Sequence, residues 1–257
     1  MIKLTERMET IASMVTPGYR VCDVGCDHAL IDIALIERGI SPGALAMDIN
    51  EGPLKIAESN VRRAGLSGRI ELRKSDGLSA YKALESESLI ISGMGGPLIC
   101  RILSDHLDSI TGGENTQKSI TGAGNGLNAF DNTCDFKEMI LSPQSEIDEF
   151  RSFVSEKGLK IADERMVFDD GKFYTVIKVT PCGISYELSK EELFFGPVLL
   201  KRLDPLLKEY LEWRLKTDSS VLCKLKSKRP TDAIDERIRD LSEICDIMSD
   251  ILTRYKD

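Results

Sequence analysis

The chain has 257 residues, of which 42% are hydrophobic and 30% charged, and its formal net charge is −8. That length suits one α/β domain of ordinary size with a smaller partner, and the balance excludes a disordered chain. Its longest apolar stretches fall short of the roughly 20 residues that a spanning helix needs, and no membrane partner is expected. Residues 1–15 carry Lys3, Glu6, Arg7 and Glu9 among their apolar positions. They do not read as a secretory signal, and a cytoplasmic location is expected. An acidic chain is not a general polyanion binder, so any nucleic acid has to be met by a local basic patch.

Leu4, Met8, Ile11 and Val15 recur at helical spacing and predict an amphipathic helix over 4–15. A short apolar strand, Arg20 to Val24, then ends in Gly25, and a helix over 28–38 stops at Gly39. The second strand, Ala44 to Asp48, leads into Gly52-Pro53, where proline suits the first turn of a helix running to Ala64. Strands follow at 70–73 and 89–92, a helix at 97–107, a strand at 139–141 and a helix at 146–157. Repeated strand–helix units imply a parallel sheet with helices on both faces. Runs at 159–168 and 173–179, separated by Asp169-Asp170-Gly171-Lys172, predict a closing antiparallel hairpin. Residues 108–134, rich in Gly, Ser, Thr and Asn, read as an insertion loop.

The fold expected is therefore α/β, a Rossmann-like methyltransferase sheet over residues 1–186, mostly parallel with an antiparallel last strand. A C-terminal helical coiled-coil hairpin is expected over 187–257. Ile234, Ile238, Leu241, Cys245, Met248, Leu252 and Tyr255 alternate by four and three as a heptad seam. Leu200, Leu203, Leu207, Tyr210 and Leu211 give one earlier helix a matching stripe. The seven cysteines are odd in number and scattered, with Cys22 and Cys26 the one close pair. Reduced thiols and no metal site are expected.

Chemistry-bearing residues fall at successive strand ends, where open parallel sheets bind ligands. Asp23-Val-Gly25-Cys-Asp27-His28 closes the first strand, with Gly25 allowing a tight turn. Asp27 stands where a dinucleotide fingerprint has its next glycine. A carboxylate there would repel a pyrophosphate but suits the sulfonium and amino group of S-adenosylmethionine. Asp48 closes the second strand, where a carboxylate can accept from both ribose hydroxyls, with Asn50 assisting. Asp76-Gly77 follows the third strand and suits an adenine edge; Gly93, Met94, Gly95 and Gly96 close the fourth. Each has an ordinary alternative: a plain turn, a helix cap, or glycines required for packing. A methyltransferase of exocyclic amines carries Asp or Asn before Pro-Pro at the fourth position. Its absence here favours a ring nitrogen as the methyl acceptor.

Leu4 to Arg7, Asp23 to Ala29, Asn50 with Gly52-Pro53, Asp76 to Leu78 and Gly93 to Gly96 resemble the bacterial tRNA (adenine-22-N1)-methyltransferases. Leu141-Ser-Pro-Gln144, Gly171-Lys-Phe-Tyr174 and Gly196-Pro197 resemble later landmarks of that family, so the likeness spans nearly the whole chain. Met47-Asp48 departs from a more usual Gly-Glu pair but keeps the carboxylate. The resemblance implies S-adenosylmethionine as cofactor, tRNA as partner and N1 of an adenine as acceptor.

On this reading Asp27 and His28 are the catalytic candidates. Cofactor binding is assigned to Arg7, Asp23, Gly25, Asp27, His28, Asp48, Asn50, Asp76, Gly77 and Gly93 to Gly96. Lys224, Lys226, Lys228 and Arg229 form the best basic stretch for RNA phosphates, although the charged face of any coiled coil looks similar. A monomer is favoured. Two alternatives stay open: a small-molecule methyltransferase, which the acidic charge favours, and a non-catalytic nucleotide binder whose hairpin mediates protein contacts.

Overall fold

The computed structural model describes residues 2–110 and 135–255, so the expected insertion lies, from residue 111 onward, outside the described residues. The chain divides into two units, Met1–Leu188 and Ser189–Asp257.

In the first unit the elements run α1 (Glu6–Met14), β1 (Val21–Val24), α2 (Leu30–Glu37), β2 (Ala44–Asp48), α3 (Glu51–Arg63) and β3 (Ile70–Lys74). They continue with β4 (Ser88–Ser92), α4 (Gly96–Ile110), β5 (Glu138–Ser142), α5 (Ile147–Glu156), β6 (Leu159–Asp169) and β7 (Lys172–Pro181). One seven-stranded sheet has the order β3-β2-β1-β4-β5-β7-β6. The first five strands pair in parallel, and β7 is antiparallel to both β5 and β6. This is the Rossmann-like methyltransferase sheet expected from the alternation. The strand order reverses between β1 and β4, which makes their carboxyl ends the natural crevice for a ligand.

Helices cover both faces, and so β1, β2 and β5 are buried at every residue. The edge strand β3 buries only Ile70. The β6–β7 turn places Asp170 at φ 48° and Gly171 at φ 73°, the paired left-handed residues of a type I′ hairpin. Thr5 caps α1, its hydroxyl accepting from the Met8 N–H. The far end of α1 is pinned by buried Glu138 on β5, which accepts from the Thr16 N–H at 2.8 Å and pairs with Lys178 of β7 at 2.6 Å. Lys178 also donates to the Met14 carbonyl at 3.0 Å. These bonds fix α1, and with it Arg7, against the sheet.

The second unit holds α6 (Lys190–Phe195), α7 (Pro197–Arg202), α8 (Pro205–Lys226) and α9 (Asp232–Thr253). The stripe from Leu200 to Leu211 is not one helix. Leu203 takes a left-handed φ of 50°, Asp204 caps the next helix from its side chain, and Pro205 opens it. An aspartate followed by proline is a start signal that overrides the apolar spacing. Helices α8 and α9 pack together, and the short 227–231 link makes them antiparallel neighbours. Leu207, Leu211 and Leu222 are buried on one, and Leu241, Cys245, Met248 and Ile251 on the other. From the expected α9 seam, Ile234, Ile238, Leu252 and Tyr255 are half-buried. No described helix is long and apolar enough to cross a membrane.

Candidate active site

The turn from β1 into α2 has an unusual backbone. Gly25, Asp27 and Ala29 have φ values of 75°, 51° and 56°, so three left-handed residues fall within five positions. Non-glycine residues adopt that region at a cost and persist there when surrounding contacts enforce it. The Gly25 and Cys26 N–H groups both donate to the Met47 carbonyl, at 2.8 and 3.0 Å. Asn60 of α3 donates to the His28 carbonyl at 3.1 Å. The Asp27 and His28 side chains project outward, with Oδ1 3.4 Å from Nε2 and both partly exposed.

These residues line a cavity of about 280 Å³ together with Arg7, Met8, Asp23, Cys26, Leu30, Ile31, Ser92, Gly93 and Gln144. The cavity thus joins α1, the β1 turn, the β4 turn and the β5–α5 loop. Arg7 enters from α1. Its guanidinium carbon lies 4.7 Å from the centre of the Tyr174 ring, and its backbone N–H donates to Asp169 Oδ2 at 3.3 Å. Arg7 Nε is buried and meets no acceptor among the described residues.

Met94 closes the site over Gly25: a Cβ built on Gly25 would come within 2.4 Å of Met94 Cε. Gly95 and Gly96 have a different reason to be glycine. A Cβ on Gly96 would lie 2.6 Å from the Ser145 carbonyl oxygen, and one on Gly95 2.8 Å from Ser145 Oγ. Their N-terminal helix turn packs against the β5–α5 loop, an arrangement tied by Gly96 N–H to Ser145 O at 3.1 Å. Gly93 lines the cavity itself.

Asp48 closes β2 and Asn50 precedes α3, and neither is among the residues that line this cavity. Asp48 Oδ1 accepts from the Asn50 N–H at 2.8 Å, and the Asp48 carbonyl accepts from Ser75. Asp48 raises the proton affinity of Asp23, though less than burial and Asp32 do. Asp76 and Gly77 border a separate cavity of about 860 Å³ with Tyr81, Arg101, Asp105 and His106. The β1 and β4 turns therefore share one cavity, and the β3 turn opens on another. Ser92, at the head of the expected glycine turn, lines the cavity, while Gln144 in the lining and Tyr174 against Arg7 had not been assigned to the site. Gln144 and Tyr174 lie in the later motifs, but only tertiary folding brings them beside Arg7 and the β1 turn. Lys224, Lys226, Lys228 and Arg229 are exposed at the α8–α9 link, in the second unit. No three His, Cys, Asp or Glu side chains among the described residues are grouped to hold a metal ion.

The residues fit S-adenosylmethionine. An acidic wall, Asp23 and Asp27, suits its ammonium and sulfonium, and the orphaned Arg7 Nε suits its carboxylate. At Gly25 the left-handed backbone, with the Met94 methyl lying against it, favours glycine. Sheet, switch point and acidic glycine turn together define the class: an S-adenosylmethionine-dependent methyltransferase of Rossmann-like fold. A methyltransferase-domain family model matches residues 4–121, and the tRNA (adenine(22)-N(1))-methyltransferase model matches 124–243. The two matches run one after the other through most of the chain, and the second makes it similar to the tRNA (adenine(22)-N(1))-methyltransferases. It is 24% identical to the tRNA (adenine(22)-N(1))-methyltransferase of Bacillus subtilis (strain 168), across 98% of each chain. A Streptococcus pneumoniae structure solved in complex with S-adenosyl-L-methionine shares 27% identity and a TM-score of 0.78, over 97% of this chain and 100% of that one. A Listeria monocytogenes structure reaches a TM-score of 0.84 at 25% identity, over 97% of this chain and 100% of that one.

Proposed function

We propose that this enzyme transfers a methyl group from S-adenosylmethionine to N1 of the adenine at position 22 of tRNA. The observation that carries the reading is the β1–α2 turn, whose left-handed Gly25, Asp27 and Ala29 present an acidic wall beside the Arg7 guanidinium. When bound, the cofactor supplies an electrophilic methyl group on a positively charged sulfur.

Adenine N1 carries its own lone pair, so no strong base has to create the nucleophile. The protein contributes alignment and exclusion of water. Asp23 holds the cationic end of the cofactor and Arg7 the anionic end. Asp48 with Asn50 takes the ribose hydroxyls, and Asp76 with Gly77, which border the other cavity, are assigned the adenine edge. The substrate base leaves its stack, which costs a few kcal/mol, and arrives at the exposed Asp27 and His28. Methylation makes the base cationic, and the Asp27 carboxylate stabilises that developing charge. His28, beside it, orients the ring. Lys224, Lys226, Lys228 and Arg229 hold the tRNA by its phosphates.

The deciding experiment is to treat an unmodified tRNA transcript with the protein and labelled S-adenosylmethionine, then map the methylated nucleotide. Label at N1 of adenine 22 is the expected result. Label at another nucleotide, or only in a metabolite extract, overturns the substrate assignment.

A further inference from the structure

Gln144 stands in the loop from β5 to α5, where it is exposed and lines the cofactor cavity. Its backbone is held firmly. The Gln144 N–H donates to the Met94 carbonyl at 2.9 Å, and the next residue, Ser145, accepts from the Gly96 N–H at 3.1 Å. The loop is thus tied to the β4 turn at two successive residues, behind a buried Pro143. The side-chain amide of Gln144 makes no hydrogen bond among the described residues. A Cβ built on Gly93 would meet that amide at 4.0 Å, so a long side chain at position 93 would crowd it and glycine leaves the space open.

The target base limits how it can be recognised. N1 has to face the methyl group, so it is not available for a hydrogen bond to the protein. What else marks adenine is the N6 amine, a donor, beside N7, an acceptor, on one edge. Reading both together takes a donor and an acceptor on one carbon and in one plane, which a primary amide supplies. The other polar side chains of the lining do not offer this. Arg7 only donates and the Asp27 carboxylate only accepts, while Ser92 has a single oxygen. His28 donates and accepts on opposite sides of its ring. Asp23 is 3% exposed and serves the cofactor. Gln144 is the one amide among the residues that line the cavity.

We propose that Gln144 selects the target base: its carbonyl oxygen accepts from the N6 amine, its amide N–H donates to N7, and both bonds leave N1 free for the methyl group. The inference rests on the function proposed above and adds to it the residue that tells adenine from guanine. Guanine presents two acceptors, N7 and O6, on the same edge. The Gln144 carbonyl would then face another acceptor, and one of the two bonds is lost.

The test uses two tRNA transcripts, with adenine or 7-deazaadenine at position 22; the second keeps N1 and N6 and replaces N7 by C–H. Methylation of each is measured for the native full chain, Gln144→Ala and Gln144→Glu at saturating S-adenosylmethionine. Calorimetry with the cofactor first establishes that each variant is folded. Any difference in the intrinsic reactivity of N1 is common to the three proteins. It cancels when their kcat/KM ratios, adenine over 7-deazaadenine, are compared. The ratio should be about tenfold higher in the native protein than in Gln144→Ala, the discrimination of one good bidentate contact. In Gln144→Glu it should fall below the alanine value, because the carboxylate meets N7 acceptor to acceptor. Should one variant not bind the cofactor, the other decides. A single ratio shared by native protein and variants overturns the role of Gln144 and leaves the proposed function intact. No label at adenine 22 with the native protein overturns both.

Discussion

The Arg7 guanidinium carbon stands 4.7 Å from the centroid of the Tyr174 ring, although 167 residues separate the two in sequence. Arg7 Nε is buried beside the cavity without an acceptor, and the ring restricts where the rest of the guanidinium can go. A cation held over an aromatic face gains about 0.5–2 kcal/mol, depending on its exposure. Tyr174→Ala should weaken S-adenosylmethionine binding by roughly fivefold, equivalent to about 1 kcal/mol. Tyr174→Phe should stay near the native affinity, because the ring face remains. Calorimetry on the two variants checks this; equal losses would show that the hydroxyl matters and the stacking does not.

Gly25 combines a φ of 75° with a Cβ position 2.4 Å from Met94 Cε. In Gly25→Ala two penalties add: left-handed backbone strain of about 1–2 kcal/mol and displacement of the Met94 side chain over the cavity. Thermal melts and cofactor titrations of Gly25→Ala, Met94→Ala and the double variant separate them. Met94→Ala should relieve the clash and leave the strain, so the double variant stays less stable than Met94→Ala. Additive losses would show that Met94 yields freely.

The local signals were legible wherever one short segment decides the conformation. Asp170-Gly171 marks its own hairpin, and the run of strand–helix units marks the parallel sheet. Legibility failed where two signals compete, as at Leu203, where Asp204-Pro205 starts a new helix within an apolar stripe. It failed again where a residue's meaning depends on a distant neighbour. Asp32 reads as one acid in an apolar helix, and its complete burial shows only once α2 is packed. Gly95 and Gly96 read as a ligand loop until Ser145 fills the space beside them. The strand ends could be ordered from the sequence, but not apportioned between cavities. Asp76 borders one and Gly25 another, because the lining also depends on α4 and the β5–α5 loop.

Asp27 tests the chemistry apart from the fold. Its side chain is 66% exposed and its one ion-pair contact is with the neighbouring His28, so its charge has little to do with stability. Asparagine tolerates the left-handed backbone that Asp27 adopts. Asp27→Asn should leave the melting temperature nearly unchanged, weaken cofactor binding by removing one carboxylate of the acidic wall, and lower kcat on tRNA at saturating S-adenosylmethionine on the order of 100-fold, as for loss of one group stabilising a developing charge. Unchanged kcat would remove Asp27 from the reaction.

The exposed cluster at the α8–α9 link makes a prediction about salt. Neutralising Lys224, Lys226, Lys228 and Arg229 together should weaken tRNA binding and flatten its dependence on salt. For every phosphate left without its cation, the slope of log affinity against log salt concentration falls by about 0.7–0.9. S-adenosylmethionine affinity should not move, because none of the four lines the cofactor cavity. Filter binding over a salt series checks it. An unchanged slope would leave the cluster as a solvated helix end with no hold on the tRNA.

The complete burial of Asp32 predicts how stability changes with pH. Burial raises Asp32 from an ordinary 3.8 to about 7 in the folded chain. Between those values the folded state holds a proton that the unfolded state has released, so stability falls as the pH rises toward neutrality. Below the lower value both states are protonated and the full stability is present. Asp32→Asn removes the titrating group and keeps nearly the same shape. It should therefore match the native protein near pH 4 and gain on it steadily up to about pH 7, beyond which the difference levels off. Denaturant titrations of both proteins across that range measure the gap directly. A gap that stays constant would mean that burial does not raise Asp32 in the folded chain.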